Sequence, residues 1–450
     1  VTLELAWALV APVLLGALVL RAIGVRIRED WLSWCAWVWP CGCFVLAASL
    51  WAALVAGAPT DWWPVVPFPV VAALAWIGSR APGADRVVAA RSMSPCLKAA
   101  IAFAVSLAAF HFVVASGFPC LLGDEANLWA TKAKSLFLDW PMGEFAVAQR
   151  LSPHPDYPLL NPLLQAWVYA AEGEVVHFEN RWLILPFELC TVLAVAAAAR
   201  RLVGDRVAAA FVVAMCLEPE HAHMATTAHA DGMVGLGLVM ALDGLLRERD
   251  APHRSHRAIA AIGAAFALWS KNEATMYVGL AVAAFVFDAL RRREMPRPGA
   301  AAPWMLLPVG IAIGQIAWNR WFGLQNDLFG KGGPEGSVPE LFVAQFSDRA
   351  LPVLQAAASV LFDPRHLQFV LLLPFLALVF APRASLSRTL FAPTCALAGS
   401  FVVLHLIYIG SYLVLSFHLA TSQLRVLYQL TPMALVWVAA TARELRNGPR

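Results

Sequence analysis

Charge is scarce in this sequence: 14% of its 450 residues are Asp, Glu, Lys or Arg, while 60% are hydrophobic. A soluble globular chain carries about a quarter charged residues, so this composition suits a different solvent. The mean hydropathy of +0.66 agrees. No long polar stretch could fold as a separate domain, and no internal repeat divides the chain. The net charge of +3 is too small to direct it to nucleic acid. A glycine-rich phosphate loop is also missing, which removes the usual sign of a nucleotide-sugar fold. The eight cysteines show neither paired zinc spacing nor a secreted disulfide framework. Cys35, Cys41, Cys43, Cys190, Cys216 and Cys395 lie in or beside apolar runs and read as packing residues. The first apolar run is followed by Arg21 rather than by a small-residue cleavage site, so it reads as a transmembrane helix.

What is present is a series of apolar runs, with 18 Trp and 30 Pro suited to interfacial anchoring and broken helices. A bilayer core takes roughly 20 apolar residues per helix. On that measure the expected fold is an all-α polytopic membrane protein of about thirteen spans. These cover 5–22, 33–57, 64–79, 99–118, 182–199, 206–222, 229–246, 257–271, 273–290, 302–319, 366–381, 389–415 and 425–442, with an interfacial stretch at 351–361. Basic residues then alternate from loop to loop. Those at 21–28, 80–98, 200–206, 247–257, 291–297, 383–388 and 443–450 make 23 of the 33 Lys and Arg, all on one side. The positive-inside rule makes that side cytoplasmic, with the N-terminus outside and the C-terminus inside. The other side carries the two long loops, 119–181 and 320–365, where short surface helices and function are expected. In domain terms, 1–98 is an N-terminal three-helix segment and 99–450 holds the site.

The polar residues of the outer side fall into five groups. Asp124 and Glu125 open the first long loop, ahead of Lys132 and Lys134. Adjacent carboxylates at a membrane boundary are costly unless paired or used. On a helix starting at Asp124, Glu125 would lie near Lys132; an N-cap acid pair is the ordinary explanation. The run from His154 through Asp156 and Tyr157 to Pro162 contains three prolines, which force a rigid extended turn. Glu218, Glu220, His221 and His223, then His229 and Asp231, gather histidines with carboxylates. A metal site at His221 and His223 is one reading of them, although residues two apart diverge on a helix. Lys271, Asn272 and Glu273 occupy a tight outer turn, as snorkelling flank residues or as a buried pair lining a cavity. Arg425 stands on the acidic side against the general bias, where a fixed guanidinium suits either a helix anchor or a phosphate.

Taken together, these residues resemble the GT-C superfamily of membrane glycosyltransferases. The closest likeness is to its bacterial polyprenyl-phosphate-sugar enzymes and protein O-mannosyltransferases. The likeness rests on Asp124-Glu125, the run Tyr157-Pro158-Leu159-Leu160, Ala230-Asp231-Gly232, Lys271-Asn272-Glu273, and Arg425 with Pro432, in that order over roughly residues 99–442. It implies a GT-C-like bundle in a bacterial inner membrane, and a sugar carried on a polyprenyl phosphate as donor. Asp124 would act as general base toward an acceptor hydroxyl on a glycan, lipid or protein, while Glu125 positions acceptor or donor. Lys271 and Arg425 would receive the lipid phosphate, with Lys132, Lys134 and His154 as further candidates and Glu273, Asp156, Tyr157 and Asp231 completing the substrate site. Some members of the family require a divalent metal and others do not; His221 and His223 keep that option open. Two rival classes remain. A lipid or glycan transporter or flippase usually shows repeats and charges within spans. A ligase or acyltransferase acting on a lipid-linked glycan would use similar outer acids. The second long loop, 320–365, with Trp321, Asn326, Asp327, Lys331-Gly332-Gly333 and Glu335, would serve as an acceptor-facing lid or, as its Gly and Pro equally suit, as a disordered surface loop.

Overall fold

The computed structural model describes the whole chain except residues 1, 26, 28–29, 80–91, 120–122, 139–147, 151, 294–297, 327–337, 364, 366–367, 412 and 449–450. Asp327, Lys331, Gly332, Gly333 and Glu335 of the expected lid therefore lie outside the described residues, as does part of the first long loop. The described residues are helical with no strand, as expected. In chain order the first helices are α1 (Leu3–Ile23), α2 (Trp31–Val55), a 3-10 turn (Thr60–Val65), α3 (Pro67–Ser79) and α4 (Pro95–Ser116). A π-helical segment (Glu125–Ala130) leads into α5 (Thr131–Leu138), followed by α6 (Leu160–Glu172), α7 (Pro186–Val203), α8 (Asp205–Cys216) and α9 (Pro219–Met224). Then come α10 (Asp231–Asp250), α11 (Arg254–Ser270), α12 (Glu273–Arg292), α13 (Pro298–Phe322) and α14 (Val338–Phe362). The chain ends with α15 (Leu372–Phe380), α16 (Pro382–Ser385), α17 (Phe391–Gly410), α18 (Leu415–Tyr428) and α19 (Thr431–Asn447).

Local chemistry sets several of these boundaries. Thr2, Asp30 and Ser94 each precede a helix and accept a hydrogen bond from the backbone N–H three residues on, satisfying one of its open donors. Gly24 ends α1 in the left-handed region at φ 90°, where a side chain would be strained.

The expected thirteen spans are corrected by the structure. Eight stretches among the described residues are long and apolar enough to cross a bilayer: Leu3–Ile23, Trp31–Val55, Thr60–Ser79, Pro95–Ser116, Glu179–Val203, Glu273–Arg292, Phe391–Gly410 and Leu415–Asn447. Five expected spans fail for identifiable reasons. The run at 206–222 is cut by Glu218-Pro219, leaving 12-residue α8 and 6-residue α9. Helix α11, at 257–271, has only 17 residues, and the run at 366–381 yields 9-residue α15 behind a 3-10 turn. Helix α10, at 229–246, carries Asp231, Asp243, Arg247 and Arg249. Helix α13, which covers 302–319, carries Gln315 and Asn319 in the last turns of that run, followed by Arg320. Hydropathy alone does not register a proline break. Nor does it register that α10 is buried along most of its length, so that protein rather than lipid meets its polar groups. The stretch at 351–361 forms the second half of 25-residue α14. The chain is a multi-pass, all-α membrane protein with eight candidate spans among the described residues.

One hydrophobic core runs from Leu5 to Ala440, so the N-terminal helices are built into the bundle. Trp167 donates from Nε1 to the Ala8 carbonyl, and Trp39 to that of Leu183. At the centre, α10 and α11 form an antiparallel hairpin in which a Cβ on Gly237 or Gly263 would lie 2.6–2.8 Å from the opposing helix. This hairpin also separates two polar regions. One end gathers the basic loops: Arg247 pairs with Asp30 (3.0 Å) and Asp243 (2.7 Å), Arg201 with Asp243 (2.6 Å), and Arg443 with Asp250 (2.6 Å). Asp231 and Lys271 lie at the other end, about 24 Å away along α10 at 1.5 Å per residue.

Candidate active site

Gly123, with φ 59°, turns the chain into Asp124, and the π-helical segment follows. Neighbouring residues on a helix face different ways, and the two acids diverge accordingly. Asp124 Oδ2 accepts from Arg425 Nη2 at 2.7 Å, and the Asp124 side chain stays 42% exposed. Glu125 turns inward. Its Oε1 lies 3.2 Å from Arg181 Nη1 and accepts the Ala228 N–H at 2.8 Å, with both charged side chains buried. Arg181 also donates to the carbonyls of Phe118 and Thr226, so this pair ties the loop ahead of α5 to the loop ahead of α10.

Arg425 projects from α18 and makes three contacts, to Asp124, to the Thr421 carbonyl (3.1 Å) and to His229 Nδ1 (3.2 Å). Burial and the charge of Arg425 push His229 down to about 3, which makes it a neutral acceptor. Burial pushes the Asp124 carboxyl up, but the charge and hydrogen bond of Arg425 outweigh it and leave Asp124 below its ordinary value.

Behind Arg425 lies a buried network. Lys271 Nζ sits 2.9 Å from Asp231 Oδ1 and 3.0 Å from Glu273 Oε1, and Gln429 donates to the same Asp231 oxygen at 2.6 Å. Burial disfavours both charges, yet each offsets the other: Lys271 is raised and Asp231 lowered. Asp231 Oδ2, Glu273 Oε2 and Gln429 Oε1 are buried and accept no hydrogen bond among the described residues. A Cβ on the neighbouring Gly232 would lie 1.6 Å from Glu188 Oε1. Glu188 in turn accepts from Tyr428 and lies 3.1 Å from His221 Nδ1.

The proline-rich turn closes one side. His154 has φ 48°, a strained value for a residue with a side chain, and contacts on both its ring and its carbonyl hold it there. Its ring stacks on Tyr157 at 4.6 Å, and its carbonyl accepts from buried Lys132 at 2.5 Å. Lys132 and Lys271 each lie 5.9 Å from the centre of the Tyr157 ring, and the Tyr157 hydroxyl donates to Glu273 at 3.4 Å. Asp156 is a hub. Its carboxylate accepts from Asn272 (2.7 Å) and Asn326 (2.9 Å), and its carbonyl accepts from Gln315 and Asn319 (3.1 Å each).

No family model, known protein or solved structure matches the chain. The geometry alone therefore describes the site. It brings Asp124, Asp231, Lys271, Glu273, Arg425, Asp156, Tyr157, His154 and Lys132 to one end of the bundle. Lys134 is exposed on α5. His221 and His223 separate: His221 bonds the Tyr428 hydroxyl (2.9 Å), while His223 lies 5.4 Å from the His229 ring. Among the described residues, no three His, Cys, Asp or Glu side chains form a metal-holding group. The described donor set does not fit a metal. Arg181 and Gln429 also belong to the site, although the sequence motifs do not point to them, and His229 joins it as a partner of Arg425 rather than as a metal ligand. Arg181 carried a legible signal, since it is, like Arg425, an arginine on the acid-rich side.

Proposed function

We propose that the chain is an integral membrane glycosyltransferase that moves a sugar from a polyprenyl phosphate to an acceptor hydroxyl, with Asp124 as general base. The observation that carries this reading is a half-open, ionised carboxylate held by a fixed guanidinium at the mouth of a buried acid–cation network. Asp124 takes the proton from the acceptor hydroxyl as that oxygen forms its bond to the anomeric carbon. The carbon–oxygen bond to the phosphate breaks, and its electron pair leaves with the lipid phosphate. A single displacement of this kind inverts the anomeric centre. Arg425 meets the phosphate charge because it is already oriented and need not reorganise. Lys271, committed to Asp231 and Glu273, acts through them by fixing the floor of the site. The unsatisfied acceptors Asp231 Oδ2 and Glu273 Oε2 suit the hydroxyl donors of a sugar. Glu125 is a positioning residue that sets the loop bearing Asp124.

The site lies at the end of the α10–α11 hairpin opposite the basic loops. Basic loops favour the cytoplasmic side, which supports an extracytoplasmic reaction, and the bacterial inner membrane is what the GT-C resemblance implies. The buried Asp231–Lys271–Glu273 network also fits a transporter or flippase, whose ion path would need such groups. Purified protein given radiolabelled polyprenyl-phosphate sugars and a lipid-extract acceptor distinguishes the two. Transfer that depends on Asp124 supports the enzyme. Donor that changes leaflet without being consumed supports the transporter.

A further inference from the structure

At the end of the bundle away from the site, three arginines from separate elements meet with few acids to balance them. Arg249, near the end of α10, donates to the carbonyls of Arg388 and Thr389, the first at 2.7 Å. Arg292, at the end of α12, donates to the same Arg388 carbonyl. The side chain of Arg388 itself is exposed there. Arg291 adds a fourth positive charge, its guanidinium carbon 4.0 Å from the centre of the Phe391 ring. The facing acids are Asp288, 2.8 Å from Arg292 and 3.3 Å from Arg291, and Glu444, which sits 3.7 Å from Arg443. Burial and the charge of Arg292 both lower the hold of Arg249 on its proton, as expected where like charges crowd. An apolar wall adjoins the cluster: Phe287 stacks against Phe391 at 6.2 Å and is 57% exposed, as is Leu290 on the same helix.

We propose that the surface formed by α12 and α17 at this end binds an anionic phospholipid, its phosphate on Arg249, Arg292 and Arg388 and an acyl chain along Phe287 and Phe391. Phosphate matches converging guanidiniums, and the adjacent exposed aromatic and aliphatic side chains on a candidate membrane span match a lipid tail rather than a free anion. A basic cluster on the cytoplasmic side faces the leaflet whose anionic lipids attract it. The site is independent of the reaction at the opposite end.

The test is native mass spectrometry and thermal melting of the full chain in zwitterionic micelles, titrated with phosphatidylglycerol, phosphatidylcholine of the same acyl chains, or inorganic phosphate. Wild type is expected to retain and be stabilised by phosphatidylglycerol and not by phosphatidylcholine. Each guanidinium contributes about fivefold, so Arg249→Gln with Arg292→Gln should lower the preference by about twenty-five-fold. The Arg249→Lys, Arg292→Lys pair should keep most of it, which separates lost charge from a misfolded end. Equal binding of the two lipids by wild type would overturn the proposal. So would a preference unchanged in the Gln pair, or stabilisation reproduced in full by inorganic phosphate.

Discussion

Replacing Glu125 by Gln removes one charge from a pair whose side chains are only 7% and 3% exposed. Arg181 would be left buried with neutral partners, namely the carbonyls of Phe118 and Thr226 and the new amide. Breaking a buried pair in this way costs about 3–5 kcal/mol, because the surviving charge is neither solvated nor paired. The Gln oxygen can still accept the Ala228 N–H, so the lower end of that range is expected. Asp124→Asn is the contrasting case. Asp124 is 42% exposed, its pair is partly solvated, and the stability change should be about 0–1 kcal/mol. Unfolding in mixed micelles by increasing denaturing detergent, followed by Trp fluorescence, compares the two variants directly. Glu125→Gln should unfold much earlier than wild type, and Asp124→Asn close to it. Equal destabilisation, or the reverse order, would refute the division of labour between these adjacent acids.

Arg425→Gln should move the acid limb of the pH–rate profile upward. Arg425 holds Asp124 below its ordinary value, and without it the raising effect of burial is opposed only by the smaller effects of His229 and Lys271. An unmoved limb would separate the rate from Asp124. Glu220 is pushed up to about 7, first by burial and then by the charge of Asp231. A raised carboxyl keeps its proton in the folded state after the unfolded chain has lost it. Stability should therefore fall as pH rises from about 4.3 toward 7, and Glu220→Gln should flatten that decline in a melting-temperature series. Gly232→Ala places a methyl group 1.6 Å from Glu188 Oε1, on a carboxylate whose other oxygen is held by Tyr428 and His221. Overpacking of this kind should cost about 1–3 kcal/mol in the same detergent titration; a neutral result would mean that α7 and α10 part easily.

Much of the site could be read from the sequence because its residues are polar where lipid forbids polarity without a partner. Asp124, Asp231, Lys271 and Arg425 stood out on that ground, and they meet at one end of the bundle. Their pairing could not be read, since it depends on tertiary contacts across as many as 301 residues. Glu125 shows the limit most clearly. Helix spacing suggested Lys132, whereas it pairs with Arg181 and Lys132 caps the carbonyls of His154 and Pro155. The all-α architecture followed from hydropathy, but the number of spans did not. Apolarity alone could not distinguish lipid-facing helices from buried ones such as α10, nor detect the break at Pro219.

The central claim is that Asp124 is the base in sugar transfer from a polyprenyl phosphate. Its most direct test measures release of radiolabelled sugar to acceptor by wild type and by Asp124→Asn in liposomes, with the fold of the variant checked by its detergent unfolding. Transfer by wild type is expected, with a loss of about a hundredfold or more in a fully folded Asp124→Asn protein. Undiminished transfer by that variant would contradict the assignment of the base, and no consumption of any donor by wild type would contradict the reaction itself.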